Sequence, residues 1–263
     1  MRTSKICIAL FISAFIFACA TVPARNDGLF FTVTYGETVP PAEGSEDALE
    51  LSFVLVDSEK VPLGELVRSF LYGGLSAEDH AAKVTDDLKT TYRLTLEENS
   101  EWGFDQSWTY DEEIKTAVTG PYAVITRAMY VYQGGAHGDQ TVVPYVFDVE
   151  TPKKIGLDDI IAKESRSGFY GIMNRELRLY SDAKSELPLF PEAPLSSGIY
   201  FEDTVMPSNF YPAADGLHLQ WNPAEIAAYV FGVIDITLGW DELANLLSPE
   251  GAAMAAVYQT TPR

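Results

Sequence analysis

Hydrophobic and polar positions recur with a two-residue period in the middle of the chain. In residues 123–132, Val124, Ala128, Tyr130 and Tyr132 fall on one side, and Ile125, Met129 and Val131 on the other. Residues 141–149 do much the same with Val143, Tyr145, Phe147 and Val149. Apolar residues on both sides of an extended run predict central strands covered on both faces. Between the two runs, Gly134-Gly135-Ala136-His137-Gly138-Asp139 reads as a loop whose glycines are free to take positive φ. The two runs are therefore expected to be neighbouring strands.

The flanking pattern supplies the other elements. Leu29–Thr34 predicts a first strand, and Ala48–Val56 a second with Leu49, Leu51, Phe53 and Leu55 on one face. Gly64–Tyr72 predicts a short helix closed by Gly73-Gly74. Ser76-Ala77-Glu78-Asp79 resembles a capping box opening a long helix to about Glu98, with Val84, Leu88, Tyr92 and Leu96 on its apolar stripe. Trp102–Tyr110 alternates aromatics, and Asp111–Thr119 is expected to pair back against it. Phe169, Ile172, Met173, Leu177 and Tyr180 recur at helical spacing over Ser167–Ser181. Leu187–Ser197, with three prolines, reads as a loop. Asn209–Trp221 predicts a hairpin around Asp215-Gly216. Asn222-Pro223 predicts the start of a short helix running to Tyr229 and ended by Gly232. Val233–Leu238 is a strand, Trp240–Leu247 a final amphipathic helix, and 249–263 a mobile tail of small residues.

These elements predict an α+β fold. A mostly antiparallel sheet is packed by a few helices, chiefly 76–98 and 167–181, in two closely associated subdomains, 29–118 and 119–248. At 263 residues, 47% of them hydrophobic, the chain has material for a sizeable core. With 38 acidic against 18 basic residues the formal charge is -20, which makes nucleic acid and anionic lipid surfaces poor partners. The acid is uneven: residues 27–118 hold 20 acids and 6 bases, so a cationic partner would be steered to the first half. The same charge also serves solubility.

Arg2 and Lys5 precede an apolar run from Ile6 to Phe17, which is too short to span a membrane and fits a secretory signal peptide. Ile16-Phe17-Ala18-Cys19 resembles a relaxed bacterial lipobox. Residues 1–18 then form a lipoprotein signal peptide, Cys19 is the lipidated first mature residue, and 19–28 is a tether. The expected location is the bacterial cell envelope, periplasmic or surface-facing, with contact to the membrane through the lipid on Cys19. Cys7 leaves with the leader, so no internal disulfide is expected.

A longer pattern then emerges. Tyr132-x-Gly134-Gly135-Ala136-His137, Phe147-Asp148 with Thr151 and Lys154, and Leu157-x-Asp159-Ile160 resemble the domain-of-unknown-function 3298 family. Asn209-Phe210-Tyr211, Asp215-Gly216-Leu217, Asn222-Pro223, the run Ala224–Tyr229 and Gly232 follow in the order of that family. The segment before it is similar to the 4163-type domain that commonly precedes it, and together the two cover nearly all of 29–248. Similar domains form the outer part of a lysozyme-sensing anti-sigma factor and the non-catalytic part of a peptidoglycan deacetylase. No cytoplasmic segment precedes the leader and no deacetylase domain follows, so neither role is expected here. The resemblance implies a non-catalytic envelope lipoprotein that binds a cationic, lysozyme-like protein or a cell-wall glycan. Pro152 and Pro223-Ala224 depart from the family in their loops.

Tyr132, Gly134, Gly135, His137, Asp139 and Tyr145 are the candidate ligand-binding residues. An imidazole in a glycine loop can hold a ligand or a proton; it can equally cap backbone carbonyls and order the loop. The alternative functions are a cell-wall hydrolase using His137 with a nearby carboxylate, and a purely structural envelope protein. No metal site or cofactor is expected, because nothing in the spacing gathers three ligands and no phosphate or dinucleotide fingerprint is present. The adjacent acids at Asp86-Asp87, Glu97-Glu98, Asp111-Glu112-Glu113, Asp158-Asp159 and Asp241-Glu242 read for the most part as solvated faces or helix starts. The basic residues Arg166, Arg175, Arg178 and Lys184 are expected to pair with the chain's own carboxylates. His80 falls in a first helix turn and His218 on the outward face of a strand. Trp102, Trp108, Trp221 and Trp240 fall mostly on apolar sides, as core residues.

Overall fold

The computed structural model describes residues 28–40, 48–99, 107–183, 206–227 and 229–260. The leader, Cys19, the loop 187–197, Trp102 and Lys184 lie outside the described residues.

Six strands form one sheet in sequence order: β1 (Phe31–Val39), β2 (Leu49–Asp57), β3 (Trp108–Thr119), β4 (Tyr122–Tyr132), β5 (Asp139–Asp148) and β6 (Lys153–Ile155). Every pair is antiparallel except β2–β3. A parallel neighbour needs a crossover, and here α1 (Leu63–Tyr72) and α2 (Ala77–Asn99) make it. Ser76 caps α2 as expected, accepting the Asp79 N–H at 3.0 Å. On the helix side, Leu49, Leu51, Phe53 and Leu55 of β2 join Trp108, Tyr110 and Ile114, Ala123 and Ile125, and Phe147 against Val67, Leu71, Ala77, Ala81 and Tyr92.

The second core lies on the opposite face, toward β5 and β6. A three-stranded sheet, β7 (Asn209–Ala213), β8 (Gly216–Trp221) and β9 (Ile234–Gly239), turns Phe210, Leu217, Leu219, Trp221, Ile236 and Leu238 inward. They meet Tyr122, Val146 and Ile155, together with Phe169, Met173 and Leu177 of helix α4 (Arg166–Ala183). A short helix α3 (Leu157–Ile160) precedes α4; its Asp159 side chain accepts the Gly156 N–H at 2.8 Å, the helix-start role expected of Asp158-Asp159. The subdomain boundary expected at 118/119 falls at the end of β3, inside one continuous sheet where Val118 pairs with Ala123 and Thr119 with Tyr122.

Four expectations need correction. Asp111–Thr119 does not fold back on Trp108 and Tyr110, because Trp108–Thr119 is one strand whose even positions from Trp108 to Ile114 are buried. Residues 222–232 do not form a helix. Ala224 sits at φ 66, which breaks the first turn, and the chain reaches Gly232 through a 3₁₀ turn at Tyr229–Phe231. The helix expected over Trp240–Leu247 stops at Leu243 (α5, Trp240–Leu243), and Leu247 instead bridges to Ile161. The expected mobile tail is a helix, α6 (Pro249–Thr260), with Gly251, Met254, Ala255 and Tyr258 buried. Ser248 starts it: its hydroxyl donates to the Asp159 carbonyl and accepts the Gly251 N–H at 3.0 Å, with Pro249 in the first turn.

Candidate functional site

The β4–β5 loop stands at the end of the two central strands, which are neighbours as expected and pair antiparallel from Tyr122↔Asp148 through Val131↔Asp139. Gly134 and Gly135 hold φ of 89 and 102, a region only glycine enters without strain. The Tyr132 hydroxyl donates to the Gly135 carbonyl at 3.2 Å. The His137 ring is exposed; its Nδ1 lies 3.1 Å from the Gly138 carbonyl, and it stacks on Tyr229 with centroids 4.2 Å apart. Tyr229 also donates its hydroxyl to the Gly138 carbonyl. Gly138 is buried beneath Tyr130: a Cβ there would come within 2.5 Å of the Tyr130 ring. The loop is thus held from both sides by aromatic rings.

Of the candidate residues, Tyr132, Gly134, Gly135, His137 and Asp139 come together at this loop. Tyr145 does not. It pairs with Ile125, seven residues from Tyr132 along β4, and the alternation of the strand puts it on the helix-covered face. At 3.3–3.4 Å per residue the two lie roughly 20 Å apart. Tyr130 and Tyr229 belong to the site but were missed. Tyr130 carried a signal, since it alternates with Tyr132. Tyr229 carried none, because only the tertiary fold brings the segment after β8 to the loop.

From this loop a face of the sheet that the described residues leave exposed runs back toward β1. The register sets Thr38, Glu50, Thr109 and Tyr132 in one row and Gly36, Ser52, Asp111 and Tyr130 in the next. Glu50, Asp111 and Glu113 are exposed there, with Lys115 2.9 Å from Glu113. Desolvation on the crowded sheet surface, reinforced by the Glu50 charge, pushes the Asp111 carboxyl up. The face is acidic and edged by two tyrosines.

Beneath it, on the helix side, lies a polar network built around one of the tandem acids, Glu112. Glu112 is fully buried, so the expected solvated character of Asp111-Glu112-Glu113 holds only for its neighbours. Arg127 Nε donates to one carboxylate oxygen at 2.7 Å, while the Tyr110 hydroxyl at 2.8 Å and His80 Nε2 at 2.9 Å meet the other. Burial raises the Glu112 carboxyl, but the His80 hydrogen bond and the Arg127 charge outweigh it and hold the group below the usual carboxylate range. The Tyr110 and Tyr72 hydroxyls are pushed up chiefly by burial. Glu112 shares its face with Trp108, Tyr110 and Ile114, and an acid interrupting an apolar alternation was the signal available. With its acceptors filled and its face covered by helices, this cluster is a structural tie.

A second histidine cluster sits on the outer face of the three-stranded sheet. His218 Nδ1 lies 2.8 Å from Asp235 and Nε2 3.1 Å from Asp215; Tyr211 stacks on the ring at 4.6 Å and donates to Asp235 at 2.8 Å. Burial lowers the imidazole and the two carboxylates raise it, with a net upward shift. Thr237 Oγ1 is 3.4 and 3.5 Å from the two ring nitrogens. Arg166 and Arg175 pair with Asp158 and with Glu176 and Glu242, as expected of the basic cluster. Among the described residues no group of three or more histidine, cysteine or acidic side chains is placed to hold a metal, and no helix is long and apolar enough to cross a membrane.

Comparison with known proteins bears on the fold more than on the site. A member of the DUF3298 family from Bacteroides fragilis, known from its crystal structure, superposes with a TM-score of 0.67 at 18% identity, over 88% of this chain and 97% of that one. A DUF3298 family protein from Pseudomonas aeruginosa superposes with a TM-score of 0.58 at 14% identity, over 84% and 94% of the two chains. No curated protein matches this chain. Residues 158–241, from α3 to the start of α5, match the family model described as "Protein of unknown function (DUF3298)", and the C-terminal part of the chain carries that domain.

Proposed function

We propose that this chain is a non-catalytic cell-envelope lipoprotein, anchored through Cys19, that binds a cationic protein of lysozyme-like character. The observation that supports the reading is the sheet face left exposed among the described residues, where Glu50, Asp111 and Glu113 stand near Tyr130 and the braced Gly-Gly-Ala-His loop. An acidic surface edged by aromatic rings suits basic side chains, which gain from both carboxylates and ring faces. The loop is braced by its own hydrogen bonds and ring stacking, so docking against it costs little ordering. The 4163-type character of residues 29–118 belongs to the same proposal.

A cell-wall glycan is the second occupant, favoured by the tyrosines alone. The hydrolase reading has less support, since His137 Nδ1 faces a main-chain carbonyl and its ring stacks on Tyr229.

The test is binding of lysozyme at low and moderate salt, with Glu50→Gln/Asp111→Asn as the variant. Binding that weakens both with salt and in the variant is expected, because exposed charges are screened beyond about 10 Å at 0.1 M. No complex at either salt removes the reading.

A further inference from the structure

The six-stranded sheet has two edges, and they are treated differently. On the β5 side the edge is closed. β6 covers Val146–Asp148, and Pro144 has no N–H to offer. The backbone of Val142 is clamped, with its N–H donating to Asn222 Oδ1 at 2.6 Å and its carbonyl accepting from Asn209 Nδ2 at 3.3 Å. These are ways of protecting an edge from further strand pairing.

β1 has none of them. All nine of its residues pair in unbroken register with β2, from Phe31↔Asp57 to Val39↔Leu49, and among the described residues nothing pairs with its outer side. The strand holds no proline, lysine or bulge, and its Phe31 and Tyr35 are each 37% exposed. We propose that β1 pairs antiparallel with β1 of a second copy of this chain, about a two-fold axis at Tyr35, joining two six-stranded sheets into one.

The strand's own sequence selects this occupant. Laid antiparallel on itself about Tyr35, it sets Phe31 against Val39, Thr32 against Thr38 and Tyr35 against its own copy. Aromatic–β-branched, threonine–threonine and aromatic–aromatic cross-strand pairs are all favourable. Glu37, the strand's one charge, falls opposite Val33 rather than another Glu37, and Lys89 already neutralises it at 2.6 Å. A symmetric pairing of this kind closes on itself and stops at the dimer. The net charge of -20 per chain opposes association. Salt therefore strengthens the dimer, the reverse of its effect on a cationic partner. The inference stands apart from the binding reading above and does not need it.

Two measurements on the full chain test it. Sedimentation should show the mass doubling with rising concentration and salt, and Tyr35→Lys and Thr34→Pro should each restore the monomer while circular dichroism stays unchanged. In a Cys7→Ser/Cys19→Ser background, Tyr35→Cys should oxidise to a covalent dimer far faster than Val230→Cys, whose parent side chain is 83% exposed. The reason is that facing strand residues lie within the roughly 4.4–6.8 Å Cα separation that a disulfide spans. A monomer at every concentration, a dimer that survives Tyr35→Lys, or equal oxidation of the two cysteines each overturns the proposal.

Discussion

Replacing Arg127 by methionine tests the account of the buried network most directly. Arg127 supplies the positive charge facing Glu112, whose carboxylate has no exposure, and its Nε lies 2.7 Å from Oε1. Methionine keeps much of the aliphatic stem but leaves that oxygen with no donor and the carboxylate without its fixed counter-charge. Breaking a buried pair from one side typically costs about 3–5 kcal/mol, because the surviving charge keeps its desolvation penalty and loses its compensation. At about 2–4 °C per kcal/mol for a chain of this size, the thermal midpoint should fall by roughly 6–20 °C. The pH dependence gives a second signature. The folded carboxyl of Glu112 is depressed, so its stabilisation is present above the unfolded value of about 4.3 and is lost as pH falls through the folded value. Without Arg127 the folded value rises, and acid unfolding should begin at higher pH. Urea melts from pH 3 to 7 on wild type, Arg127→Met and Glu112→Leu/Arg127→Met measure both effects, the double variant recovering part of the loss. A single variant within about 1 kcal/mol of wild type with an unmoved acid transition would refute the reasoning.

Two further outcomes follow from local geometry. His218 is held above its ordinary value by Asp235 and Asp215. Its contribution is therefore full below the unfolded value of about 6.5 and lost as pH rises through the folded one. His218→Gln should flatten the stability profile across that window, and an NMR titration of His218 that shows no upward shift would contradict the assignment. Gly251 faces the Ile160 carbonyl so closely that a Cβ would lie 2.2 Å from its oxygen. Gly251→Ala should cost roughly 1–3 kcal/mol by forcing α6 away from α3, measurable by chemical denaturation, and a neutral result would mean that α6 is loosely docked.

What the sequence determined by itself was a set of elements fixed by local periodicity and turn chemistry. The two central strands, the glycine loop between them, the long helix from Ala77 and the hairpin around Asp215-Gly216 follow from residue spacing and turn chemistry, which need no partner to be read. The failures share one cause. Tandem acids such as Asp111-Glu112-Glu113 look solvated along the chain, and only the approach of His80 from α2 and Arg127 from β4 makes the burial of Glu112 tolerable. The tail after Pro249 lacked an amphipathic stripe because small residues pack as helix against helix at close range, a property of the neighbour as much as of the segment. Asn222 gave up helix capping to bond Val142, 80 positions away. Tyr229 reached the loop from 91 positions away, and Tyr145 left it for the opposite face of the same sheet. Hydrogen-bond partners for buried polar groups are chosen by three-dimensional proximity, and spacing along the chain does not encode that choice.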